Sequence, residues 1–74
     1  MSRPPAHSTV LASSVLAAMT YSLDATLDLA FRSGRIYRYV AVPPPIIEGL
    51  IAAASKGAYF HRHVRNRFRY QRLA

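Results

Sequence analysis

Hydrophobic and polar positions alternate along the first half of the chain, and they follow a helical spacing after three consecutive prolines that begin at Pro43. Alternation with period two is typical of half-buried strands, whereas apolar positions three and four residues apart form one face of a helix. The pattern predicts strands at residues 15–21, 26–31 and 36–42, one helix from about Pro44 to Ser55, and a shorter helix from Ala58 to about residue 66. The predicted fold class is therefore α+β: a three-stranded antiparallel meander with one packed helix and a second short C-terminal helix.

The turn between the second and third predicted strands decides which side chains share a face of the sheet. A two-residue turn, Ser33–Gly34, would place Leu29 opposite Arg38. We prefer a three-residue loop with Gly34 in the left-handed conformation, because it makes one face apolar and the other charge-paired. The pairs that this loop predicts are Leu27 with Tyr39, Asp28 with Arg38, and Leu29 with Tyr37. Both tyrosines then point into the core, and the ion pair lies on the solvent side.

The ends of the chain and of the helices carry further expectations. Residues 1–11 are predicted to be a flexible N-terminal tail, and residues 12–74 a single domain. We expect Gly57 to end the first helix as a left-handed cap, with Lys56 beside the negative end of the helix dipole. Gly49 is expected to allow close packing of that helix on the sheet. The alternation of residues 67–70 is compatible with an extended end.

The inner side of the second helix is predicted from its spacing alone. It should consist of Tyr59, Phe60, His63 and Val64.

Composition limits the class of protein. Seventy-four residues, of which 51% are apolar, suffice for one small domain with a real core, so the chain is not a wholly disordered one. There is no cysteine, which excludes disulfides and thiolate metal sites. No segment approaches the roughly 20 apolar residues that span a bilayer, and Ser13 and Ser14 interrupt the N-terminal apolar run that faintly imitates a signal peptide. We expect a cytoplasmic protein without a membrane partner.

Charge is the strongest indication of function. The formal net charge is +7, with ten basic residues against Asp24, Asp28 and Glu48. Arginine binds phosphate in a bidentate manner and stacks on bases, which suits RNA or another single-stranded nucleic acid. The alternative is a solvated basic face without a ligand. The basic residues that cluster in the last nineteen positions are Lys56, Arg62, Arg65, Arg67, Arg69 and Arg72.

Catalysis and metal binding find little support. The three carboxylates are assigned to a turn (Asp24), to the cross-strand pair (Asp28) and to the first turn of a helix (Glu48), so no pair remains for acid–base work. Ser55 and Lys56 have the composition of a Ser–Lys dyad, but capping at a helix end explains them better. His61 and His63 are two residues apart and would face away from each other on a helix. We predict no enzyme, no metal site and no cofactor.

The order and spacing of several short segments of the chain resemble those of the KTSC domain. These segments are Ser13–Ser14, Tyr21, Phe31, Ser33–Gly34, Tyr37 and Tyr39, Val42–Pro43, Ser55–Lys56–Gly57, Tyr59–Phe60, Val64–Arg65, Phe68 and Tyr70. That family is a short module at the C-terminus of some lysyl-tRNA synthetases and a stand-alone bacterial or phage protein. The chain departs from it at Thr20–Tyr21–Ser22, where Gly-Tyr-Asp is expected, and at Asn66, where glycine is common. The resemblance implies that Tyr37, Tyr39, Ser55, Gly57, Tyr59 and Phe60 are structural motif residues, and RNA binding is the usual suggestion for the family.

Two functions from different classes stay open. The first is a nucleic-acid-binding module that contacts phosphates without sharp sequence specificity. The second is a protein-interaction module, either an adaptor or an inhibitor, that grips an acidic partner with its basic end. The sequence leaves the oligomeric state and the identity of any RNA open.

Overall fold

A computed structural model describes residues 6–74, with side chains from Ser8 onward. The helices and strands, in chain order, are β1 (Ala6–Val10), β2 (Leu16–Ser22), β3 (Leu27–Phe31), β4 (Ile36–Tyr39), α1 (Pro44–Ala52), α2 (Lys56–His63) and β5 (Tyr70–Arg72). The five strands form one antiparallel sheet in the order β1-β2-β3-β4-β5. The α+β class is confirmed, but the sheet has five strands where three were predicted.

The predicted hairpin register is confirmed. Leu27 lies opposite Tyr39, Asp28 opposite Arg38, and Leu29 opposite Tyr37. Gly34 has φ +96°, the left-handed conformation that the three-residue loop requires. The backbone N–H of Phe31 donates to the carbonyl of Arg35 at 2.8 Å and closes the loop.

Both helices cover one face of the sheet, and the core lies between these two layers. The largest fully buried side chains are Leu16, Leu27, Leu29, Val42, Leu50 and Val64. Tyr39 is also buried, with 4% of its surface exposed, whereas Tyr37 is half-buried and packs against the core. The prediction of inward tyrosines is confirmed for Tyr39, and for Tyr37 only in part.

The N-terminal edge of the sheet corrects the predicted tail. Residues 6–10 form β1, which pairs with β2 along its whole length, and the hydroxyls of Ser8 and Thr20 lie 2.9 Å apart. Leu11 is 2% exposed and belongs to the core. The first five residues, which the prediction also assigned to the tail, lie outside the described residues.

The junction between the helices differs from the prediction as well. Helix α1 ends at Ala52, and Gly57 lies in the first turn of α2 without a positive φ, so it is not a left-handed cap. A Cβ at Gly57 would lie 3.2 Å from Cγ2 of Val15, and glycine therefore permits close contact there. The hydroxyl of Ser55 accepts the N–H of Ala58 at 3.3 Å and caps the start of α2.

Gly49 packs against Tyr59, not against the sheet as predicted. A Cβ at Gly49 would lie 2.6 Å from Cζ of Tyr59, whose hydroxyl donates to the carbonyl of Ile46 at 3.0 Å. Because glycine has no side chain, the Tyr59 ring can cross α1 at this position and connect the two helices. His63 is exposed and stacks on Tyr59 at 4.4 Å, so its predicted place on the inner side is wrong.

The three carboxylates have separate environments. Asp24 accepts the N–H of Thr26 in the turn before β3, as predicted, and Asp28 holds Arg38 in a two-pronged ion pair of 2.8 and 3.0 Å. Glu48 is exposed in the second turn of α1, which corrects its predicted place in the first turn. Among the residues that the structure describes, no three His, Cys, Asp or Glu side chains lie close enough together to hold a metal ion.

Candidate nucleic-acid interface

A half-open cleft of about 340 Å³ lies between the β4–β5 edge of the sheet and α2. Its floor consists of five aromatic side chains: Phe31, Tyr37, Tyr39, Phe60 and Tyr70. Its rim is polar and consists of Ser33, Arg35, His61, Arg65 and Asn66. Strand pairing, the β3–β4 loop and the end of α2 all contribute to this one surface.

Aromatic contacts, most of them edge-to-face, hold the floor together. Phe60 from α2 meets Phe31 and Tyr39 with ring centroids 5.2 and 5.9 Å apart. Tyr70 lies 5.7 Å from both Tyr37 and Tyr39. Such pairs stabilise a core by ~0.5–1.5 kcal/mol each beyond the area they bury, so these contacts help to hold α2 and β5 against the sheet.

Strand β5 brings Tyr70 onto this floor. Tyr70 is paired with Tyr39 and Arg72 with Tyr37, and directly paired residues point to the same face of an antiparallel sheet. Unlike Tyr39, Tyr70 keeps 59% of its surface exposed. It is therefore the aromatic side chain of the floor that a ligand can reach most easily.

The turn after α2 places Arg65 and Asn66 on the rim. The N–H groups of Val64 and Arg65 both donate to the carbonyl of Phe60, at 3.0 and 2.9 Å, which ends the helix. Asn66 has φ +61°, a left-handed conformation that asparagine tolerates better than most residues. Asn66 therefore allows the left-handed turn that follows α2.

Positive charge borders the cleft, and no Asp or Glu side chain among the described residues lines it. Arg35 and Arg65 are both exposed, and Arg65 lies 3.3 Å from Nδ1 of His61. Within residues 6–74 the single ion pair joins Arg38 to Asp28, and it lies on the opposite face of the sheet. The hydrogen bond and charge of Asp28 raise the pKa of Arg38.

Tyr39 is the group in the cleft whose acidity is altered. Burial raises its pKa to about 12, because the phenolate loses water, and the neighbouring Tyr37 and Tyr70 add to the effect. Its hydroxyl is therefore neutral over the whole physiological range. It can donate a hydrogen bond but cannot act as a base.

The predicted basic residues separate into those at the cleft and those away from it. Arg65 lines the cleft, and Arg62 lies on the far side of α2 beside Tyr59 and His63. Arg67 and Arg69 are exposed, whereas Arg72 donates to the carbonyl of Ala74 at 3.0 Å.

Lys56 has a structural role. Its ammonium donates to the carbonyls of Ile51 and Ala53 at 2.9 and 2.8 Å. This confirms its predicted place at the negative end of α1 and fixes the junction between the helices. Of the motif residues, Ser55, Gly57 and Tyr59 also belong to that junction, while Tyr37, Tyr39 and Phe60 belong to the cleft floor.

Sequence reasoning missed Arg35 and Asn66 as site residues. Arg35 directly follows Gly34, at the end of the predicted hairpin loop. This position is the feature of the sequence from which Arg35 could have been recognised. Tyr70 carries no such local signal, because its place depends on the pairing of β5 with β4.

No described helix is long and apolar enough to cross a membrane.

Comparison with known proteins identifies relatives of two kinds. Residues 12–68 match the family described as KTSC domain. The chain is 47% identical over 49 residues to a lysine–tRNA ligase of Nostoc sp. and 42% identical over 53 residues to that of Trichormus variabilis. These alignments cover 66% and 72% of this chain but 9% of either ligase.

Two smaller relatives have dimensions closer to those of this chain. An uncharacterized protein of Stutzerimonas stutzeri is 40% identical over 48 residues, which is 64% of this chain and 68% of that protein. The crystal structure of a KTSC domain protein from Yersinia pestis superposes with a TM-score of 0.88 at 22% identity, over 95% of this chain and 100% of that one. The latter similarity concerns the fold.

Proposed function

The chain belongs to the KTSC domain family, and we propose that it is a non-catalytic module that binds single-stranded nucleic acid, RNA above all. The binding surface in this proposal, called the basic surface below, consists of Arg35, Arg62, Arg65, Arg67, Arg69 and Arg72. One observation carries the proposal: none of these six exposed arginines forms an ion pair with an Asp or Glu side chain within residues 6–74, and two of them flank an aromatic cleft.

The chemistry of the basic surface suits a polyanion with flat bases. Guanidinium groups bind phosphate oxygens in a bidentate manner, and aromatic rings offer stacking surfaces to any base. A net charge of +7 on so small a body also raises the rate at which an anionic ligand is captured. We assign Lys56 to the fold because its ammonium already binds two carbonyls.

The relatives give independent support for RNA. The lysine–tRNA ligases act, by their name, on tRNA, and a region like this chain makes up 9% of each. A small module carried by an enzyme that handles tRNA is well suited to add affinity for RNA. The ligase activity itself belongs to the remainder of those proteins and is not part of the proposal.

The test is the salt dependence of binding to a labelled single-stranded RNA. Phosphate contacts release counterions, so log K should fall with log salt by a slope of about 0.7 per contact. The variant Arg65→Ala/Arg67→Ala should weaken binding to all sequences and lower that slope by about 1.4.

The matched control lowers the net charge equally on the other face of the sheet. On β1, the strand farthest from β5, Ser8 lies opposite Thr20 and Val10 opposite Ala18, and the side chains of Ser8 and Val10 are exposed. The variant Ser8→Glu/Val10→Glu should keep most of the affinity. Unchanged binding of the arginine variant, or a slope near zero, would contradict the proposal and favour a protein-interaction module, which a pull-down with acidic proteins would then reveal.

A further inference from the structure

We propose that the aromatic cleft holds one unstacked nucleotide of the bound strand, with its base on Tyr70 and the adjoining phosphates at Arg35 and Arg65. This inference rests on the proposed function, but it adds a distinct site to it. The basic surface alone would contact the backbone of the strand, whereas the cleft would recognise a single base.

The volume of the cleft limits the number of bases that it can hold. Its volume of about 340 Å³ lies at the lower end of the roughly 300–1,000 Å³ that is usual for small-ligand sites. The cleft is half open and has an aromatic floor with a polar rim, which is the arrangement that receives a flat, partly polar group. It accommodates one base and its sugar, not a stack of several.

Tyr70 provides the stacking surface. It is 59% exposed, although the side chains around it on the floor are buried or half-buried. Its ring is held at 5.7 Å from Tyr37 and Tyr39, so it is exposed and yet fixed in place. A base that stacks on it would cover this apolar surface without any rearrangement of the core.

The rim provides the polar partners. Arg35 belongs to the segment between β3 and β4, and Arg65 follows α2, so the two cations come from different elements and meet at one cleft. The Asn66 amide has donors and an acceptor for the edge of a base, and the Ser33 hydroxyl adds another of each. Single-stranded RNA is commonly recognised through this combination of stacking and edge hydrogen bonds.

The experiment separates the contribution of the base to binding affinity from that of the phosphates. Affinity is measured for a five-unit RNA backbone whose five sugars are all abasic, for the same backbone with one central base, and for one with two bases. Stacking of a base on an aromatic ring typically raises affinity by roughly 5- to 150-fold. We therefore expect the first base to raise affinity about tenfold and the second base to add less than a factor of two.

Two variants of Tyr70 test whether its ring causes the gain in affinity from the first base. Tyr70→Phe should keep the tenfold gain, and Tyr70→Ala should abolish it while leaving the salt slope unchanged. Circular dichroism of each variant checks the fold, and if Tyr70→Ala unfolds, the wild-type series with zero, one and two bases still decides the matter.

The outcomes distinguish the two proposals. Equal affinity for the three backbones would overturn the cleft site and leave phosphate binding intact. A gain that continues with each further base would also overturn it, because several bases would then be in contact. Failure to bind any of the backbones or a natural RNA would overturn the proposed function and the cleft site together.

Discussion

The two faces of the sheet use the same kinds of residue in opposite ways. On the outer face, Arg38 is tied to Asp28 by two hydrogen bonds, and small residues such as Ala18 and Ala30 surround the pair. On the face covered by the helices, Arg35 and Arg65 border a cleft with an aromatic floor and have no carboxylate partner among the described residues. The number of cations is thus a weaker guide to a binding surface than the partners they already have.

This difference also separates stability from binding. Core aromatic side chains of the inner face hold the sheet to α2, whereas the outer ion pair is half-exposed and easily replaced by water. Substitutions on the inner face should therefore change the free energy of unfolding or ligand affinity, depending on the exposure of the residue. Substitutions on the outer face should change neither by much.

The largest effect is expected for Tyr39→Ala. Tyr39 is 4% exposed and contacts Phe60, so its truncation should lower the free energy of unfolding by ~3–5 kcal/mol, as for other core aromatics. Tyr37→Ala should cost less, because Tyr37 is half-buried. Urea denaturation followed by circular dichroism measures both losses. A loss below 1 kcal/mol for Tyr39→Ala would mean that this side chain is not part of the core.

Alkaline pH should produce the next largest effect through the same residue. The pKa of Tyr39 is about 12 in the folded chain, against about 10 for an ordinary tyrosine, so the unfolded state loses its proton first. The folded state should thus lose about 2–3 kcal/mol of stability as pH rises from 10 to 12. Urea midpoints of wild type and Tyr39→Phe across this range isolate the effect, which the phenylalanine variant should lack. Parallel curves for the two proteins would contradict the assignment.

The hairpin and the sheet edges show how far the sequence predicts this fold. The pairing of Leu29 with Tyr37 follows from local information, because the alternation and one glycine determine the loop. β1 has weak alternation and a single large apolar residue, Val10, which is exposed, so nothing in the sequence distinguishes it from a tail. β5 has only three residues and exists because β4 offers it an open edge.

The cleft is less predictable than the hairpin for the same reason. The cluster of C-terminal arginines is visible in the sequence, and Arg65 does line the cleft. Arg35 and Tyr70 are thirty-five positions apart and come together only through β4–β5 pairing. Likewise, the two carbonyls that engage Lys56 appear only when α1 ends at Ala52.

A moderate effect is expected for the single variant Arg65→Ala. Removal of one phosphate contact should lower the salt slope by about 0.7 and weaken binding a few-fold for every sequence tested. Stability should stay close to wild type, because the side chain is exposed and its contact with His61 is 3.3 Å long. Val10→Glu, which makes the same change in net charge on the outer face, serves as the control. If both variants weakened binding equally, the net charge of the molecule and not the cleft would explain the affinity.

The smallest effect is expected for Asp28→Ala on the outer face. The carboxylate holds Arg38 at 2.8 Å, but 22% of the Asp28 side chain and 30% of the Arg38 side chain are exposed, and such pairs contribute ~0–1 kcal/mol. Its removal frees the Arg38 guanidinium and raises the net charge by one, but on the face away from the cleft. Affinity for single-stranded RNA should therefore rise by less than a factor of two. Thermal unfolding and the same binding titration measure the two quantities. A large gain in affinity would show that the outer face also binds the strand and that the contrast between the two faces is wrong.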